Sequence, residues 1–258
     1  MRRLAFVLVI GWFVGPPTPV VTRPAAPPGF AILVYHRFGT VVNDAMTVRT
    51  TTFRRQLDYL DQHQHPVIPL RALVGYLVGQ APAPPPGAVV ITVDDGHASV
   101  FAEMLPIVAG RRIPVTLFIY PSAVSNASYA MTWAQLDRLR RTGLFDIQSH
   151  TYWHPNFTIE KRRLSPDAYR AFAARQLAGA RTALLAKGGI DADLLAWPFG
   201  IYDDELMGLA RQSGYVAGFT LDRRLAIRGD CVMALPRILV TDALTERQLA
   251  SVLSQETR

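Results

Sequence analysis

Ile91-Thr92-Val93-Asp94-Asp95-Gly96-His97-Ala98-Ser99 is the stretch on which the reading of this 258-residue chain turns. The apolar run Ala88–Val93 leading into it is β-branched and too short for a helix, so it reads as a buried strand. Asp94 and Asp95 then fall at the strand's C-terminal end, which is where sites sit in proteins that alternate strands with helices. Two adjacent carboxylates repel. A cation bound by one of them would keep both ionised and would separate their roles. The plainer alternative is that Asp-Asp-Gly is a turn capping the next helix.

Outward from this stretch the pattern repeats. Upstream, Phe30–Tyr35 reads as a strand ending at His36, and Phe53, Leu57 and Leu60 have helical spacing. Arg71–Val78 reads as a helix, and the proline-rich 81–87 as a stiff loop into the Asp-Asp strand. Downstream, 98–109 reads as a helix, Pro114–Tyr120 as a strand, Trp133–Arg141 as a helix and Phe145–Ser149 as a strand ending at His150. Ser165-Pro166 opens a helix that stops at Gly188-Gly189. Further strands are expected at 194–197, 215–221 and 235–240, with helices at 203–212 and 244–253. Strands alternating with helices predict an α/β domain with a parallel sheet, closed or nearly so, spanning about 30–255.

The composition narrows the function. Half of the residues are apolar, ample for a core of this size. The net charge of +7 comes with no basic stripe or nucleic-acid-binding module, so no nucleic-acid partner is expected. The single cysteine, Cys231, can form neither an internal disulfide nor a thiolate metal site. Met1-Arg2-Arg3 followed by the apolar Leu4–Val14 suits a signal peptide or an uncleaved anchor, and a proline- and alanine-rich linker follows. Residues 1–29 are therefore read as leader or anchor plus linker, and 30–258 as the folded domain. Export to the periplasm, cell envelope or medium is expected, with membrane association possible through the N-terminal segment. The oligomeric state is left open.

A second informative stretch is Ser149-His150-Thr151-Tyr152-Trp153-His154. Two histidines four apart can reach one cation, and neutral imidazoles are common zinc ligands. With an aspartate they make a three-ligand site with open positions for water and substrate. Thr92–Gly96 together with Ser149-His150-Thr151-x-x-His154 resembles the first two motifs of the polysaccharide deacetylases, the nodulation-type carbohydrate esterases. Leu33–His36, the Phe53–Leu60 helix, Ile68–Leu70, Ala196–Gly200 and Leu235–Ile238 resemble the branch containing poly-N-acetylglucosamine deacetylases.

The resemblance implies a distorted (β/α) barrel with fewer than eight repeats, and metal-dependent removal of acetyl groups from N-acetylated sugars of an extracellular or cell-envelope polysaccharide. It assigns Asp94 as general base and Asp95, His150 and His154 as ligands of one divalent ion, zinc first, with nickel, cobalt or iron as alternatives. It gives the oxyanion-binding N–H to Phe199, while Trp197 and Tyr152 belong to an aromatic cluster suited to sugar rings. His36 could line the pocket or only pack, and His97 could turn inward as a proton donor or only start a helix.

Three departures from the family pattern are expected to matter. The third motif's arginine, partner of the base aspartate, is replaced by Ala196, which leaves Asp94 without that partner. Arg237 could pair with a buried acid or bind substrate. The fourth motif is not recognisable, Asp222 being its nearest candidate, and no histidine follows His154 to serve as the family's general acid. A glycan-binding domain with weakened catalysis, or a deacetylase of O-acetylated glycan, are the rival readings.

Overall fold

The computed structural model describes residues 28–254. The expected leader and most of the linker within 1–29 lie outside the described residues. The elements in chain order are β1 (Ala31–Tyr35), β2 (Arg37–Gly39), β3 (Thr47–Arg49), α1 (Thr50–Gln62), α2 (Leu70–Leu77), β4 (Val89–Val93), α3 (Leu105–Arg111), β5 (Val115–Ile119), α4 (Trp133–Arg141), β6 (Phe145–Ser149), α5 (Phe157–Arg163), α6 (Pro166–Gly188), β7 (Leu194–Ala196), α7 (Asp204–Gln212), β8 (Ala217–Phe219), β9 (Ile238–Leu239) and α8 (Glu246–Leu253).

Seven parallel strands form one sheet in the order β8-β7-β6-β5-β4-β1-β9. Its two edges meet. Leu235, just before β9, bridges Phe219 of β8, with the Leu235 N–H donating to Gly218 and the Thr220 N–H donating to Leu235. The sheet is thus a distorted barrel of fewer than eight strands, joined between β8 and the approach to β9 by a single bridge.

Alternation along each strand separates two cores. Inside the barrel, Ile32, Val90, Phe118, Ala196, Phe219 and Leu235 pack together. Leu70, Leu73, Val74 and Tyr76 of α2 close the N-terminal end of this cluster, where Tyr76 meets Phe30 edge-on and Arg71 pairs with Asp146 and Asp193. Outside, Leu33, Ile91, Leu117 and Ile147 pack under the surrounding helices.

Caps fix the helix starts. The Thr132 hydroxyl accepts from the Gln135 N–H while the Gln135 side chain accepts from the Thr132 N–H, a reciprocal box that begins α4. Ser165 caps α6 ahead of Pro166, and Gly189, at φ +61°, ends it.

Two expectations needed correction here. The helix expected over 98–109 divides into a π-helical turn, Val100–Met104, and then α3. Pro106 has no N–H to return to Ala102, so regular α spacing cannot run through it. The short β2–β3 pair and α5 were not expected at all, being too brief for periodicity to show.

Candidate active site

The barrel's alternation builds the site. In each long strand every second residue faces inward, and the next inward position beyond the C-terminal end opens into a cavity. Ile32 and Val34 lead to His36, Val90 and Thr92 to Asp94, Phe118 to Tyr120 and Gln148 to His150, and at the short β9 Leu235 and Arg237 lead to Leu239, its last residue. The cavity has a volume of about 390 Å³ and also receives Arg37, Met46, Asp95, His154, Phe199 and Leu221.

Asp95, His150 and His154 converge in it. One ligand atom from each lies within 4.8 Å of the others. The Asp95 Oδ1 is 3.7 Å from His150 Nε2 and 3.8 Å from His154 Nε2. Two donors each about 2.1 Å from one ion stand roughly 3 to 4 Å apart, so the spacing fits a single cation. The hydrogen bond on the far ring nitrogen of His150 fits too. His150 Nδ1 is 2.7 Å from the Ala196 carbonyl. A carbonyl only accepts, so Nδ1 carries the proton and Nε2 is left with its lone pair toward Asp95. Burial lowers the pKa of His150 to about 3, against the attraction of Asp94, and burial lowers that of His154 as well. Both imidazoles are neutral at neutral pH, the form that ligates. Burial raises the pKa of Asp95, with the Asp94 charge adding to the rise and His36 opposing it. A cation would reverse that rise.

Asp94 is not left alone, which corrects the expectation drawn from Ala196. Arg237 donates from both terminal nitrogens to the two carboxylate oxygens, at 2.8 and 2.7 Å. Asp94 is 2% exposed and Arg237 0%. Arg237 Nε also donates to the Thr220 carbonyl, and its guanidinium lies over the Phe118 ring. Burial pushes the Asp94 carboxyl upward, but the Arg237 charge and hydrogen bonds, with His150, outweigh it and hold the pKa at about 2. The fork–fork geometry fixes the carboxylate's orientation.

Four residues here adopt left-handed backbone: Asp95 (φ 72°), Thr151 (66°), His154 (62°) and Phe199 (57°). Each costs about 1–3 kcal/mol and persists only where the surroundings over-determine it. Gly96 follows Asp95 at φ +71°, and a Cβ there would stand 2.9 Å from Ile119 Cγ2. The histidine loop is an irregular turn. The Thr151 N–H donates to Ser149 Oγ, which also accepts from the buried Tyr215 hydroxyl, and the His154 N–H donates to Thr151 Oγ1. The Ser149 and Thr151 hydroxyls therefore brace the ligand loop.

The remaining candidates divide. His36 lines the cavity, and its Nδ1 is buried without a hydrogen-bond partner. Phe199 is 56% exposed, its ring edge-on to His154 at 4.5 Å between centroids. Trp197 borders the cavity but is 0% exposed, its indole N–H donating to the Met233 carbonyl, so it supports the floor and offers no open face to a sugar. Tyr152 is outside the cavity lining and lies over Gly179 of α6. His97 is outside it as well: its Nδ1 bonds Ser99, and its ring stacks on Tyr129. Asp222 is exposed, bound by Thr220 and Tyr202.

Tyr120 was missed. Its ring lies 5.4 Å from that of His154, and its hydroxyl is 2.8 Å from the Tyr129 hydroxyl. Burial and that hydrogen bond raise its pKa, so it stays a neutral phenol. Its inward parity beyond β5 was the signal available.

Residues 81–218 match the polysaccharide deacetylase family. A Staphylococcus epidermidis protein named poly-beta-1,6-N-acetyl-D-glucosamine N-deacetylase is 24% identical over 202 residues, covering 76% of this chain and 68% of its own. A Staphylococcus aureus protein of the same name is 22% identical over 201 residues, with the same two coverages. Among solved structures, IcaB from Ammonifex degensii superposes with a TM-score of 0.75 at 26% identity, over 90% of this chain and 99% of that one. The Streptococcus pyogenes deacetylase PplD, in complex with acetate, gives 0.78 at 20% identity over 89% and 100%.

Proposed function

The chain belongs to the polysaccharide deacetylase family, and on that footing we propose that it hydrolyses the acetamide of N-acetylglucosamine units in a cell-envelope or extracellular polysaccharide, of the β-1,6-linked type named for its relatives. The observation that carries this reading is the meeting, in one cavity, of the Asp95–His150–His154 cluster with the Asp94–Arg237 pair. Asp95, His150 and His154 would hold one divalent ion, zinc before nickel, cobalt or iron. Such an ion supplies a Lewis acid that activates water and polarises the acetamide carbonyl.

The rest falls to the chain's own groups. Asp94, held by Arg237, accepts a proton from the attacking water through a carboxylate oxygen. Its low pKa makes it a weak base but, once protonated, a strong acid. The proton it takes is therefore returned readily to the leaving nitrogen as the C–N bond breaks, and acetate and a free amine depart. This balances the reaction without a further histidine. The Phe199 N–H is the donor for the developing oxyanion, and the left-handed backbone at Phe199 sets its direction. Catalysis is assigned to the domain at 30–258. The basic, apolar N-terminus at 1–29 supports export, with or without retention at a membrane. Among the described residues no helix is long and apolar enough to cross a membrane.

Acetate release from β-1,6-linked N-acetylglucosamine oligomers tests the reading. Release that a chelator abolishes, and that Asp94→Asn reduces by about 100-fold or more, is expected. Release only from O-acetylated xylan would favour an esterase, and tight oligomer binding without any release would favour a glycan-binding domain.

A further inference from the structure

All five exposed aromatic side chains among the described residues stand on loops at the C-terminal ends of three neighbouring strands: Tyr129 after β5, Tyr152 and Trp153 after β6, Phe199 and Tyr202 after β7. The exposed large apolar residues at the opposite end, Val78, Leu185 and Val216, are aliphatic. Single exposed apolar residues need no explanation. Aromatics confined to the end of the barrel at which the cavity opens do, and of the five, Phe199 lines the cavity itself.

Tyr129 is the one joined to the cavity by a direct hydrogen bond. It is 44% exposed, yet it is held from three sides. Its carbonyl accepts from the Ala98 N–H at 2.7 Å, and the next two residues tie to the Asp-Asp-Gly turn: Ala130 bridges His97, and the Met131 N–H donates to the Gly96 carbonyl. Its ring lies 10° from parallel with that of His97, at 6.3 Å between centroids. Its hydroxyl meets that of Tyr120, which lines the cavity beside His154. A continuous wall thus runs from the metal-ligand cluster to the open surface. It offers a flat apolar ring and a pair of hydroxyls that, bonded to each other, keep one proton to give and lone pairs to accept hydrogen bonds. A pyranose presents the complement, an apolar face of C–H groups edged by hydroxyls.

We propose that Tyr129, hydroxyl-bonded to Tyr120 and backed by His97, forms a second sugar subsite that seats the N-acetylhexosamine adjoining the one being deacetylated. The proposal rests on the glycan reading above and deepens it: the preferred ligand is a chain, not a single sugar. His97 then supports the subsite from behind and takes no part in proton transfer.

Binding of N-acetylglucosamine and of its β-1,6-linked pentamer, measured by calorimetry on the Asp94→Asn protein so that no turnover intervenes, decides the matter. The parent should bind the pentamer more tightly than the monosaccharide. Adding Tyr129→Ala should weaken pentamer binding by about 3- to 10-fold, and monosaccharide binding by less. Tyr129→Phe, which keeps the ring, should recover part of the loss. In the turnover-competent protein the Tyr129→Ala change should appear chiefly in KM for the pentamer. Unchanged pentamer affinity in Tyr129→Ala, or equal weakening for both ligands, would overturn the subsite. Failure of the parent to bind the pentamer more tightly would do so too. Absence of acetate release from the turnover-competent protein would instead count against the deacetylase reading, and the binding comparison would still judge the wall.

Discussion

Arg237 and Asp94 are two ends of one buried pair, and removing one end exposes the cost of the other. Arg237→Met should destabilise the fold by about 3–5 kcal/mol, because it leaves Asp94 buried without its counter-charge. Denaturant unfolding measures this, and the double change Asp94→Asn, Arg237→Met should regain part of the loss. The sign of the pH effect follows from the depressed carboxyl. Held at about 2 against an ordinary 3.8, Asp94 contributes stability that is fully present above the ordinary value and is lost as the pH falls through about 2. Without Arg237, the upward push of burial prevails, so the acid limb of the kcat/KM profile should move to higher pH. An acid limb that stays in place would separate Arg237 from the ionisation of Asp94. At this scale the sequence was partly legible. Asp94, Asp95, His150 and His154 lie in two short runs whose spacing survives in space. The partner of Asp94 lies 143 residues away, and no local pattern could choose between its two readings. Tyr120 could have been found by counting inward parity along Thr116, Phe118 and Tyr120.

Among the elements, β8 matters most for its size. It has three residues, yet it carries the bridge to Leu235 that closes the barrel and aligns Arg237 two residues later. Gly218 makes the approach possible: a Cβ there would stand 2.4 Å from the Met233 carbonyl oxygen and 2.7 Å from Trp197 Nε1. Gly218→Ala should therefore cost about 1–3 kcal/mol of stability. It should also depress activity beyond what the stability loss explains, because the displaced segment carries Arg237. A thermal melt alongside kcat/KM tests this, and a fully stable, fully active variant would contradict it. The strands were read from β-branched runs and the long helices from their caps. The Asn156 cap of α5 and the π-helical turn before Pro106 escaped because each depends on a few residues, where periodicity has nothing to count.

At the scale of the whole molecule, strand alternation delivers one inward residue from almost every strand to the same end of the barrel. The Asp95–His150–His154 cluster, the Asp94–Arg237 pair and the exposed aromatics therefore share one end of the barrel. The N-terminal end is closed by α2 and its ion pairs, which leaves chemistry to the other end. The expected parallel barrel was legible from the strand–helix alternation, whereas its manner of closure depended on a pairing between distant edges. The central claim is that a single divalent ion, held by Asp95, His150 and His154, is required for removing acetyl groups. It is tested most directly by stripping the protein with a chelator, titrating zinc back and following acetate release from the β-1,6-linked pentamer. Release should rise with added zinc and level off at one equivalent per chain, while His150→Ala shows no such break. Release that persists in the stripped protein, or an unaltered break in His150→Ala, would contradict it.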